Sequence, residues 1–298
     1  MKDPTIAVLG LGAMGLPMAT RLAQTHQVRG YDPDQARREL AAAAGVTPAT
    51  DARQAAAGAD ILLLAVRSQA QLLDALYGAR GVVEVLGAGA CVLLTSTVGI
   101  DPVREVADRL LAEGRQLVDA PISGGPARAG TGDLLITVGA TDEAFATAEP
   151  VLARLASTLV RIGSRPGDGQ AMKTVNQLLC GVHIAAAAEA LALADALGLD
   201  PETALRTLGE GAAASFMLAD RGPRMLQAYD DEGAQVRSRV DIFVKDLGIV
   251  NAAARAAGLA TPLAAAAEGL YLIGQAAGQG ADDDSSVIKV IAPQRKAV

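Results

Sequence analysis

The chain has 298 residues, enough for about two domains of ordinary size. Hydrophobic residues make up 51% and charged residues 20%, a composition that excludes intrinsic disorder. With 26 Lys plus Arg against 33 Asp plus Glu, the net charge of -7 argues against nucleic acid or an anionic membrane as the main partner. Two cysteines, Cys91 and Cys180, cannot make a disulfide framework, and His26 and His183 are too isolated for a zinc site, so no metal is expected. The first residues lead straight into a strand-like run, and every long apolar stretch has Gly, Pro or a charge nearby. No secretory leader and no membrane span are expected, and the cytoplasm is the expected location.

Short apolar runs and helical stretches alternate through the first 163 residues. Strands are expected at Thr5-Gly10, Gln27-Asp32, Asp60-Val66, Cys91-Thr97, Gln116-Pro121, Leu134-Val138 and Thr158-Ile162. Several are continuously apolar, as in Ile61-Leu62-Leu63-Leu64-Ala65-Val66, the pattern of a strand covered on both faces. Helices are expected at Met14-Thr25, Pro33-Ala44, Gln69-Tyr77, Pro102-Glu113 and Asp142-Arg154. This order gives an α/β fold, a mainly parallel, doubly wound sheet of Rossmann type.

The texture changes at the breaker-rich joint Gly163-Ser164-Arg165-Pro166-Gly167-Asp168-Gly169. Beyond it only helical patterns follow, so the domains are expected at 1-163 and 164-298, the second all-helical. Gln170 to Leu197 reads as one long helix, small and apolar enough to be buried on most sides. Further helices are expected at Pro201-Gly209, Ser215-Leu226, Val240-Ala257 and Pro262-Gln275. Asp282 to Ser286 would cap a short terminal helix at Val287-Ile291 and supply its first-turn acids.

Gly10-Leu11-Gly12-Ala13-Met14-Gly15 fits G-x-G-x-x-G between the first strand and the first helix. The first glycine permits the tight turn, the second lets the backbone approach a pyrophosphate, and the third allows close helix-strand packing. Alone the pattern is weak; with Asp32 ending the second strand it points to a dinucleotide. A carboxylate there accepts both ribose hydroxyls of NAD and repels the 2'-phosphate of NADP, so NAD is the expected cofactor and NADP the lesser one. Arg37 and Arg38 could fold back to soften that repulsion, but are expected to be solvated on an exposed helix face.

Two other stretches carry candidate chemistry. Ser123-Gly124-Gly125 follows a strand and continues through Gly132; its backbone N–H groups could hold a small anion, or the stretch could be a plain surface loop. Lys173, Asn176 and Gln177 share one face of the long helix, where polar groups are costly unless they meet water, each other or a ligand. A partly buried lysine can exchange a proton with a substrate oxygen; a snorkelling lysine is the alternative. Lys245-Asp246-Leu247-Gly248 would by itself be an ordinary solvated pair.

Taken together, four stretches resemble the β-hydroxyacid dehydrogenase family, which includes 3-hydroxyisobutyrate dehydrogenase and tartronate semialdehyde reductase. They are Gly10 to Met18, Asp119 to Gly125, Gly169 to Asn176 and Lys245 to Gly248, in family order across the whole chain. The second half is most similar to the L-threonate dehydrogenase branch, including Gln177 where many relatives have a second asparagine. Phe216 and Asp220 depart from the tryptophan and asparagine expected in that branch.

The resemblance implies that Lys173 takes the hydroxyl proton of a small hydroxy acid and that Asn176 orients the reacting oxygen. Ser123, Gly124 and Gly125 would grip the substrate carboxylate, with Gln177 and Lys245 beside the substrate. Gly10, Gly12, Ala13, Met14, Gly15 and Asp32 would hold the cofactor, while Val66, Thr97 and Lys245 flank its nicotinamide end. It also implies a homodimer or homotetramer formed through the helical domain. Imine-reducing relatives lack the lysine, and a silent nucleotide-binding module would have lost a lysine, a glycine or the anion loop; this chain keeps all three.

Overall fold

The computed structural model of the protein describes residues 4–294. The chain divides into two compact units between Lys173 and Thr174. The first runs β1 (Ile6–Leu9), α1 (Gly15–Ala23), β2 (Val28–Tyr31), α2 (Gln35–Ala43), β3 (Thr47–Pro48), α3 (Ala52–Ala56), β4 (Ile61–Leu64) and α4 (Gln69–Tyr77). It continues with β5 (Cys91–Leu94), α5 (Ile100–Ala112), β6 (Gln116–Asp119), β7 (Ile122–Ser123), α6 (Gly125–Thr131), β8 (Leu134–Gly139), α7 (Asp142–Leu155) and β9 (Ala156–Gly163).

The strands form one sheet in the order β3-β2-β1-β4-β5-β6-β8-β7, with β9 also paired to β8. From β3 to β6 every pairing is parallel; β8 runs antiparallel to β6 and β7 and parallel to β9. The parallel half has the doubly wound order whose switch point lies between β1 and β4, where ligands bind outside the strands' carboxyl ends. Alternate residues explain the continuous apolar runs. Ile6, Val8, Ile61, Leu63, Leu93 and Val118 face one core, while Ala7, Leu9, Leu62, Leu64, Val92 and Leu94 face the other.

The Ser123 stretch departs from the loop reading. Ile122 and Ser123 pair with Ile136 and Leu135 as β7, and a seven-residue helix, α6, follows. Gly125 and Gly130 are poor helix formers, and a two-residue strand has no readable period. Position supplies the order: Pro126 stands in the first turn of α6, and Gly132 closes it in the left-handed conformation.

Helix α8 (Asp168–Ala196) begins in the first unit and continues into the second, followed by α9 (Pro201–Gly209), α10 (Phe216–Gln227), α11 (Val240–Ala256), α12 (Pro262–Ala276) and α13 (Ile288–Ile291). Asp200 and Ser215 cap α9 and α10 through the backbone N–H groups of Thr203 and Leu218. Ile184, Leu191, Met225, Phe243, Leu247 and Tyr271 lie in the core of this unit, where Phe243 stacks on Tyr271 at 5.2 Å between ring centroids. The only strand-like feature among its described residues is the bridge between Arg239 and Asp283.

Helix α8 is covered on most sides, but one stripe stays open: Met172, Val175, Leu179 and Leu193 are exposed along it, while neighbours in the chain cover its other faces. By length and composition α8 could also cross a membrane, yet its opposite face lies in the protein core. Asp283 caps the short turn before α13 as expected, accepting from the Ser285 N–H, and both Asp283 and Asp284 are almost fully buried. Arg224 pairs with Asp283 at 3.0 Å and Arg221 with Asp284 at 2.9 Å. Burial pushes the Asp284 carboxyl up despite Arg221. Burial also acts to raise Asp283, but the backbone N–H of Arg237, the Ser285 hydroxyl and the Arg224 guanidinium outweigh it and hold that carboxyl low.

Candidate active site

The glycine turn sits where β1 ends beside β4. Gly10 has φ +91°, and a Cβ on it would lie 2.3 Å from the Ala65 carbonyl oxygen; one on Gly15 would lie 1.8 Å from the Gly10 carbonyl oxygen. Only glycine fits either place. A Cβ on Gly12 would meet nothing nearer than the Arg37 guanidinium at 3.9 Å. That open backbone, followed by Ala13, Met14 and the start of α1, fits a pyrophosphate.

At the end of β2 the Asp32 carboxylate accepts the backbone N–H of Leu11 at 2.8 Å and of Asp34 at 2.9 Å. It is thereby fixed against the glycine turn, as a ribose-binding carboxylate must be. Arg37 and Arg38 are not merely solvated. Arg37 donates to the Leu11 carbonyl at 3.3 Å, and Arg38 donates to the Asp32 carbonyl at 2.6 Å while lying over the Tyr31 ring. Carbonyls at the turn and at the strand end draw both guanidinium groups back.

Beyond β4, the Val66 N–H donates to Ser96 Oγ at 2.8 Å, which ties Val66 to the end of β5 next to Thr97. Ser96 is not among the residues singled out by sequence; its signal is the polar triplet Thr95-Ser96-Thr97 closing an apolar strand. Ser123 ends β7, and Gly124 and Gly125 follow with φ of +141° and +75°, a pair of conformations that suits glycine and turns the chain into α6. Lys173, 8% exposed, donates from Nζ to Ser123 Oγ at 2.8 Å. Two residues fifty positions apart thus meet, one from the glycine-rich stretch and one from the long helix.

On the second unit's part of α8, Asn176 donates to Gln177 Oε1 at 2.9 Å and to Cys180 Sγ at 3.3 Å. Gln177 donates to Asp246 Oδ2 at 2.5 Å, and Lys245 pairs with Asp246 Oδ1 at 2.9 Å. Asn176, Gln177 and Lys245 are therefore joined through Asp246, which is 3% exposed. The Lys245-Asp246 pair is not an ordinary solvated one. Asp220, a residue of open role in the sequence, accepts from Arg221 at 2.6 Å and from Arg224 at 3.2 Å, and Phe216 is exposed at the start of α10.

The comparisons with known proteins fit this arrangement. Residues 5–163 match the NAD-binding domain of 6-phosphogluconate dehydrogenase, and residues 167–291 match the NAD-binding domain of NADP-dependent 3-hydroxyisobutyrate dehydrogenase. The L-threonate dehydrogenase of Cupriavidus necator is 37% identical over 286 residues, covering 96% of this chain and 95% of that protein. The 2-(hydroxymethyl)glutarate dehydrogenase of Eubacterium barkeri is 32% identical, over 97% of this chain and 95% of its own length. A crystal structure of 3-hydroxyisobutyrate dehydrogenase from Salmonella typhimurium superposes with a TM-score of 0.88 at 36% identity, covering 97% of this chain and all of that one. With a doubly wound sheet, a dinucleotide turn and relatives of this kind along its whole length, the chain belongs to the 3-hydroxyisobutyrate (β-hydroxyacid) dehydrogenase family and is an NAD(P)-dependent oxidoreductase acting on CH–OH groups.

Proposed function

We propose that the protein oxidises L-threonate to its 2-oxo acid, with NAD as the preferred cofactor and Lys173 as the proton acceptor. The observation that carries the mechanism is the Lys173 Nζ to Ser123 Oγ distance of 2.8 Å at the end of the nucleotide-binding sheet. The substrate reading rests on relatives named for L-threonate at 35–37% identity.

Bound NAD supplies the hydride acceptor, and no metal is needed. Gly10, Gly12, Ala13, Met14, Gly15 and Asp32 would hold its pyrophosphate and ribose, and Val66 and Thr97 would serve its nicotinamide end. Lys173, as the neutral amine, would take the proton from the substrate hydroxyl, and the hydride from the same carbon would pass to the bound nicotinamide. Ser123 Oγ holds the amine in place, and the N–H groups of Gly124 and Gly125 receive the substrate carboxylate. Asn176 orients the reacting oxygen, held in turn by Gln177, and Lys245 adds positive potential near the acid group. The Asp32 carboxylate favours NAD over NADP.

One observation favours a second reading, oxidation of 3-hydroxyisobutyrate or reduction of tartronate semialdehyde. Asp220 is tied to Arg221 and Arg224, which removes a polar partner that a longer polyol acid would use. We further propose that the 164-298 region forms the substrate and pairing domain, with two copies meeting along the exposed stripe of α8.

The test is formation of reduced nicotinamide with NAD, then NADP, on L-threonate, D-threonate, D-erythronate, D-glycerate and 3-hydroxyisobutyrate. Clear preference for L-threonate with NAD is expected. Preference for another acid moves the specificity to the Phe216 and Asp220 region, and turnover with none of them sinks the substrate reading.

A further inference from the structure

A buried polar knot lies behind Lys173 in the first unit. Asp119, at the end of β6, is fully buried, and so is Gln170 in the first turn of α8. Asp119 Oδ2 accepts the backbone N–H of Gly167 at 2.9 Å and of Gln170 at 2.8 Å. It therefore caps the start of α8 from a neighbouring strand, satisfying amides that a helix leaves without internal partners. Asp119 Oδ1 accepts the Gln170 carboxamide N–H at 2.7 Å.

The rest of that carboxamide reaches β5. Gln170 Nε2 also donates to the Ser96 carbonyl at 3.0 Å, while Oε1 accepts the N–H of Val98 at 3.0 Å and of Gly99 at 3.2 Å. One side chain thus grips both sides of Thr97, and its backbone is fixed to the strand end that leads on to Ser123. Gly169 seals the arrangement, since a Cβ there would lie 2.7 Å from the Asp119 carbonyl and 2.8 Å from that of Thr137. Lys173 stands three residues beyond Gln170, on the next part of the same helix.

We propose that Gln170 and Asp119 are a positioning pair, which locks the helix turn bearing Lys173 to the strand ends bearing Thr97 and Ser123 and so sets the Lys173 amine for proton transfer. Neither side chain touches substrate or cofactor in this role. Two donors and two acceptor sites of one carboxamide are all engaged, so the register of three elements is fixed without an adjustable link. A buried apolar residue of the same length would fill the space but hold none of them. The inference rests on the proton-acceptor role proposed for Lys173, and its first readout is independent of any substrate.

The experiment compares the wild type with Gln170→Met, which keeps length and removes the polar grip, and Gln170→Glu, which keeps an acceptor for Val98 and Gly99 but opposes Asp119. Lys173 reactivity is read by competitive acetylation across pH and peptide mass spectrometry, with Lys289 as internal reference. In the folded variants the Lys173 labelling profile is expected to differ from that of the wild type while Lys289 stays unchanged. With the acid found to be turned over, kcat is expected to fall about 100-fold, the scale of a misplaced reacting group, with KM for NAD within about twofold. A wild-type Lys173 profile and kcat within about threefold in either folded variant overturns the proposal. So does failure of both variants to fold, which would assign the pair to stability alone. If no acid is turned over but the labelling shifts, the substrate reading fails and the positioning stands. Turnover with unchanged labelling overturns the positioning and leaves the substrate reading in place.

Discussion

A lysine amine in contact with a serine hydroxyl, largely closed from water, is the smallest unit on which the proposed chemistry depends. Removing the amine should leave the nucleotide turn intact, because Gly10, Gly12, Gly15 and Asp32 take nothing from Lys173. Lys173→Ala is therefore expected to bind NADH as the wild type does, read by nicotinamide fluorescence, and to lose about 10²- to 10⁴-fold in kcat. Near-wild-type turnover would remove Lys173 from its role. The lysine was legible because a cation on an apolar helix face calls for a partner. Its partners behind the helix were not, since Gln170 reads as an ordinary helix-starting residue and Asp119 as an ordinary strand-ending one. They meet across 51 positions, and burial alone reveals them. Asp246 escaped for the same reason: next to Lys245 it looks like half of a solvated pair, and only folding brings Gln177 to it.

Among the elements, the central strands β1, β4 and β5 were legible because both of their faces are covered and no polar residue interrupts them, whereas the exposed two-residue β3 carried no such run. The order of turns and caps made α9, α11 and α12 legible to within a residue or so at each end. β7 and α6 were hidden because their order comes from pairing with β8 and from two glycines, not from any period in the residues. The end of β6 carries a measurable consequence. Burial pushes the Asp119 carboxyl up to about 6 from 3.8, against the hydrogen bonds from Gln170 and Gly167. The folded protein then binds a proton that the unfolded chain has released, so this group's contribution to stability falls as pH rises through that window. Urea unfolding of the wild type and Asp119→Asn at pH 4 and pH 7 checks it. The wild-type stability relative to the variant is expected to shrink by up to about 3 kcal/mol as pH rises; a constant or growing difference would contradict it.

For the whole molecule, the two-part plan was visible in the change from alternating runs to unbroken helical texture after Gly163. What single-chain periodicity could not show is which apolar face of α8 its own chain leaves uncovered. Met172, Val175, Leu179 and Leu193 face outward at 41–59% exposure, and this is the row proposed to pair two copies. The wild type is expected to run as a dimer or tetramer in light-scattering chromatography, and Val175→Glu with Leu179→Glu to shift it to monomers. A monomeric wild type, or an unchanged assembly in the variant, would count against pairing along this face.

The glycine turn has a consequence of a different kind. Gly10 and Gly15 are demanded by the protein's own backbone, which leaves no room for a methyl group at either place, while the space beside Gly12 is closed by nothing in the fold. Folding and ligand thus exert separate pressures on three neighbouring positions. A descendant that kept this architecture but gave up the nucleotide would be free to lose the middle glycine and would still be bound to keep the outer two. If the turn holds the dinucleotide as proposed, the identity of residue 12 answers to the ligand, and the glycines at 10 and 15 answer to the fold.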